Sequence, residues 1–306
     1  MKKFLVTLYI QGIYLASKPK VECLSKFSSR CEIWSNIIKY VLEGMKHFAR
    51  VTEIGPSEFK LCDQKAPWYG MIFFHEGYAF SFWSARWLLK KSTPGVFTYW
   101  GLGLWNAYID RFHVPRFFYV PLPSKDSENY VCKLGWYYDT YYWFKANTAL
   151  KLKTNSKNAL LNVIKEVNDK LPDIFKKYAI RGIGRALWLL KPQDFAYILE
   201  ILHAVDDQTA RSLCIGMGNA MTYTRIQFPE ELLTNLNALA AYHEQILEGV
   251  YISMEIISLL SNEGIIRIAE LYQAKIPEMI TKLEKNVALL QIDRDNFFCK
   301  SAYFYE

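Results

Sequence analysis

No two of the six cysteines are close enough to make a Cys-x-x-Cys pair. Cys23, Cys31, Cys62, Cys132, Cys214 and Cys299 are scattered, which removes the spacing signal for a zinc or dithiol redox site. Such a set reads as thiols kept in a reducing compartment. Basic residues are not concentrated either. The 37 Lys and Arg exceed the 30 Asp and Glu, for a net charge of +7. They form no run of the kind that marks a nucleic-acid footprint, so no nucleic-acid partner is expected. His-Glu occurs twice, at His75-Glu76 and His243-Glu244, but never as His-Glu-x-x-His, and the two Glu-x-x-His motifs on facing helices that a carboxylate-bridged centre needs are missing, since Glu200–His203 stands alone. No metal and no cofactor are expected. Gly182-Ile-Gly-Arg places Leu187 where the third glycine of a dinucleotide fingerprint would stand. Walker A and Gly-x-Ser-x-Gly sequences are missing as well.

Long apolar runs are also lacking. The stretch from Trp68 to Leu89 carries His75, Glu76 and Arg86, and Gly95 to Ile109 is shorter than the ~20 residues of a span. The opening Met1-Lys2-Lys3 and its apolar run look like a secretory signal, but Gln11 and Gly12 interrupt the run and Ala16-Ser17-Lys18 is a poor cleavage site. The expectation is a cytoplasmic protein whose first dozen residues form a short buried strand or helix.

What the chain has in abundance is rings: 16% of it is aromatic, with 21 Tyr, 19 Phe and 9 Trp. Tyr and Trp join a large apolar body to a polar tip, which suits a semi-polar cavity, an interface or a bulky core. Helical periodicity dominates. Trp34, Ile37, Ile38, Val41, Met45 and Phe48 follow the i, i+3, i+4, i+7 pattern behind a Ser29 cap. Further helices are predicted over Trp68–Lys91, Gly95–Phe112, Tyr130–Leu150, Asn158–Lys170 and Pro172–Leu190. Pro192 should open another to Val205, Asp206-Asp207 should cap the next, and Pro229 should begin a long one reaching Leu260. A last helix follows Pro277. Gly55-Pro56, Ser92-Thr93-Pro94 and the Arg116–Ser127 segment with Pro121 and Pro123 supply the stops. The class is mainly α: one multi-helix domain over residues 1–306, in two similar halves at 30–150 and 156–290.

Glycines sit inside these helices although each costs about 1 kcal/mol relative to alanine. Gly101/Gly103, Gly182/Gly184 and Gly216/Gly218 are each two apart, on nearly opposite helix faces. Such pairs let neighbours approach from both sides, so these helices should be central. Glu-Gly also recurs, at Glu43-Gly44, Glu76-Gly77 and Glu248-Gly249. A Glu-Gly helix beside a Gly-x-Gly helix in each half suggests an internal duplication.

Candidate chemistry rests on acids among rings. Glu76, in Phe73-Phe74-His75-Glu76-Gly77-Tyr78, and Asp139, in Trp136-Tyr-Tyr-Asp139-Thr-Tyr-Tyr-Trp143, would either pair with a base or titrate abnormally. A salt bridge from Glu76 to Arg185 is the bland alternative. Glu76, Asp139 and Arg185 are the candidate catalytic set. His75, Tyr78, Trp105, Tyr138, Trp188, Tyr223 and Glu248 are the candidate ligand lining. Glu76, Asp139 and Glu248 could share one polar spot or serve as three separate helix–helix clasps, with Arg185 neutralising one of them.

The stretch Gly182-Ile-Gly-Arg-Ala-Leu-Trp-Leu-Leu, with Asp194 and Ser212–Tyr223, resembles a bacterial family whose members are called enediyne biosynthesis proteins and whose biochemical function is unknown. Phe74–Leu89, Tyr99–Tyr108 and Leu134–Tyr142 resemble its other motifs, and the likeness spans about residues 30 to 260. Asp139-Thr140 departs from the family's acid–glycine pair. The resemblance implies an accessory protein of natural-product assembly that binds or processes a long apolar, polyene-like molecule and works with membrane-bound partners. It assigns no catalytic residue and leaves open whether the protein is an enzyme. The alternative from the sequence is a non-catalytic helical interaction protein, such as a secreted bacterial effector or scaffold.

Overall fold

The short-range signals place most helix starts. Asp206 accepts the Thr209 amide at 2.9 Å and opens one helix, and Ser261 accepts the Gly264 amide at 3.3 Å and opens another. Pro229 stands in a first turn followed by Glu230 and Glu231, which suit the positive helix end. The computed structural model describes residues 39–48, 66–84, 98–113, 119–127, 129–152 and 155–291, without the side chains of residues 76, 84, 290 and 291. Its helices are α1 (39–48), α2 (Met71–Ser84), α3 (Thr98–Phe112), α4 (Tyr130–Leu150), α5 (Ser156–Lys170) and α6 (Asp173–Leu190). They continue with α7 (Phe195–Leu202), α8 (Asp207–Arg225), α9 (Pro229–Asn237), α10 (His243–Leu260), α11 (Asn262–Tyr272) and α12 (Pro277–Gln291). The described residues contain no strand, and the class is mainly α. The N-terminal segment, the Ser29 cap, the Gly55-Pro56 and Ser92-Thr93-Pro94 stops, the part of the 116–127 loop up to residue 118 and the tail after residue 291 lie outside the described residues.

Two expected boundaries are corrected. Pro192 does not open α7: Gln193 takes a left-handed φ of 61°, which no helix continues, and Asp194 caps the helix instead. The run from Pro229 to Leu260 is not one helix. It breaks after Asn237, makes a 3₁₀ turn at Ala240–Tyr242 and restarts as α10. The break lets Leu232, Leu236 and Leu239 on one side and Ile246 and Val250 on the other all be buried.

Seven helices pack in a row, α1–α2–α3–α4–α6–α8–α10, and glycine decides how close they come. A Cβ added to Gly184 would stand 2.1 Å from the Leu213 carbonyl oxygen, and one on Gly216 would stand 2.0 Å from that of Arg181. Each glycine thus sits over the carbonyl of the residue three before the opposing glycine. The same reciprocal contact joins Gly218 to Ile246 and Gly249 to Ile215, at 2.1 and 2.0 Å, and joins Gly44 to Phe74 and Gly77 to Val41, both at 1.9 Å. This register runs in opposite senses on the two helices, so each of these three pairs is antiparallel. The glycine hydrogen in the Cβ position aims at a carbonyl oxygen, a Cα–H···O contact of the sort found where helix backbones meet.

The Gly-x-Gly spacing puts this contact on both sides of a helix. Gly101 of α3 meets the Ala79–Phe80 backbone of α2, while Gly103 meets Tyr137 of α4. Gly182 of α6 meets Asp139 of α4, while Gly184 meets α8. The three glycines after Glu43, Glu76 and Glu248 belong to the reciprocal contacts, which explains their spacing without any site. At its far end α10 touches α2, and Phe73 of α2 faces Tyr223 of α8 with ring centroids 6.2 Å apart, so the row curls back on itself. α5 covers α4 and α6, α9 covers α8, and α11 and α12 cover α10.

Candidate functional site

The deepest charged pair lies where α4 and α6 approach most closely. Gly182 brings α6 onto the Asp139 carbonyl, and Arg185, one turn on, reaches back to the Asp139 carboxylate with Nη2 donating to Oδ1. Both are buried, Asp139 at 1% and Arg185 at 6% exposure. The Arg185 guanidinium lies 5.1 Å from the Trp100 ring centroid and 5.9 Å from that of Trp143. Trp100 in turn packs on Trp136 at 5.4 Å. An ionised pair held this way is buried charge matched by charge and lined by ring faces that favour the cation. Arg181, one turn earlier on α6, is also buried, 5.8 Å from the Tyr178 ring.

The other candidates sit elsewhere. Glu248 is half-buried on α10 and accepts Arg211 Nη2 of α8 at 2.6 Å, so the two acids whose side chains are described answer to two different arginines on two different helices. Glu76 is on α2, with its side chain outside the described residues. Tyr78 packs edge-on against Phe48 of α1 at 5.2 Å. Trp105 stands between Phe80 at 5.7 Å and Tyr108 at 6.2 Å. Trp188 is in the core, and Tyr223 meets Phe73 across the curled row. Tyr138 is half-buried against Phe175 of α6 at 5.4 Å.

His75 is wholly buried on α2, and desolvation together with the nearby His47 lowers its pKa to about 3. In the unfolded chain it titrates near 6.5. Between those values the unfolded state binds a proton the folded state refuses. Its contribution is therefore intact above pH 6.5 and is lost as the pH falls toward 3, at up to about 1.4 kcal/mol per unit. Urea midpoints of the wild type should fall between pH 6.5 and 5, above the range of ordinary carboxylates. In His75→Leu this slope should flatten, and an equally steep decline in the variant would remove His75 as its cause.

A second cluster, which the residue pattern of α4 only half announces, gathers tyrosine hydroxyls between α3, α4 and the 119–123 segment. The Asn106 side chain donates to the Val120 carbonyl at 3.0 Å and accepts the Val120 amide at 3.3 Å, fastening that segment to α3. Tyr119 then lies with its hydroxyl 3.3 Å from that of Tyr137. Tyr141 donates to Asp110 of α3 at 2.6 Å, and its ring stacks on Tyr137 at 5.6 Å. Burial first, then the neighbouring Tyr119, holds the Tyr137 hydroxyl well above its usual range, and Tyr138 and Tyr141 are raised by burial and by nearby oxygens. These phenols stay neutral, and Tyr141 acts as a donor. Lys145 bonds both Glu166 oxygens at 2.7 Å while lying 5.5 Å from the Tyr141 and Tyr142 ring centroids, and so closes one side. Of the residues gathered here only Tyr138 was a candidate from the sequence. Asn106, Asp110 and Tyr119 were not, since only the tertiary fold brings them there.

No protein-family model, curated protein or solved structure matches this chain. Its function has to be read from its geometry. Among the described residues no group of three or more His, Cys, Asp or Glu is placed to hold a metal ion, and no helix is long and apolar enough to cross a membrane. Cys132 and Cys214 are buried, and burial pushes the Cys214 thiol up to about 12, far from a nucleophile's range.

Proposed function

We propose that this protein is a cytoplasmic accessory protein of natural-product assembly that binds a long apolar, polyene-like molecule, as its resemblance to the enediyne biosynthesis proteins implies. One observation carries the reading. Rings run from the partly exposed Tyr119 through Tyr137 and Tyr138 to the buried Phe175, with hydroxyls spaced among them. A mostly apolar wall with a few fixed polar groups is the usual make-up of a small-molecule site. Binding fits better than catalysis, because Asp139 is committed to Arg185 and Glu248 to Arg211. Native mass spectrometry of freshly purified protein tests it. A co-purified or added polyene at one per chain is the expected result; no adduct at micromolar ligand would refute it.

The same two ion pairs favour a second reading, a non-catalytic helical scaffold whose acids are helix–helix clasps. A stoichiometric protein partner recovered equally well by wild type and Asp139→Asn would support that reading, and membrane-bound partners are compatible with both.

A further inference from the structure

We draw no further inference here: the strongest candidate, the exposed ring patch that Tyr108 and Phe112 form at the end of α3, carries nothing because nothing in the structure shows what covers it.

Discussion

Gly216→Ala is expected to destabilise the protein by about 3 kcal/mol or more, measured by urea unfolding, although alanine in an ordinary helix interior would gain about 1 kcal/mol. The sign is decided by space. The new Cβ would lie 2.0 Å from the Arg181 carbonyl oxygen, where real Cβ atoms essentially never come under 3.0 Å. The obstacle is backbone, so no side chain can swing aside. α6 and α8 would have to part by about an ångström, opening voids along both helices. Gly184→Ala, on the other side of the same contact, should cost a similar amount. The double variant should cost far less than the sum, since one separation relieves both clashes. Gly264→Ala is the comparison. Its Cβ would meet Ile257 at 3.0 Å and beyond, and it should change stability by under about 1 kcal/mol. A neutral Gly216→Ala would mean that the two helices do not touch through their backbones.

Asp139→Leu alone should cost about 3–5 kcal/mol, because it leaves the Arg185 charge buried without its carboxylate. Pairing it with Arg185→Met removes both charges and should recover most of the loss, since apolar replacements of a buried pair are often neutral. Denaturant unfolding of the two single variants and the double variant closes the cycle. Additive losses would show that the two side chains act independently and would end the account of Asp139 as a clasp between α4 and α6.

Much of the architecture was legible because it is written in short-range spacing. Glycines two apart predicted helices touched from both sides, and Gly101/Gly103, Gly182/Gly184 and Gly216/Gly218 each face two different neighbours or neighbouring backbones. Asp206 and Pro229 announced their helices because caps and first-turn prolines act within one turn. The partner of Arg185 was not legible. From the sequence, Glu76, Asp139 and Glu248 were all open to it, and the close approach at Gly182 delivers it to Asp139. Which acid an arginine meets depends on which helices touch, and that is long-range information. The Asn106 fastening of Val120 was hidden for the same reason, since it joins residues 14 apart across a loop. The break between α9 and α10 was hidden by a run rich in Leu and Ala, which favours helix throughout and carries no stop.

All of this depends on helix backbones meeting without side chains between them, and proton contacts at the α8–α10 crossing measure that directly. A Cβ built on Gly218 would stand 3.1 Å from Gly249 Cα. In a sample labelled with ¹³C only at glycine, strong cross-peaks between the α protons of Gly218 and Gly249 are the predicted result. Glycine α protons that show contacts only within their own helices would contradict it.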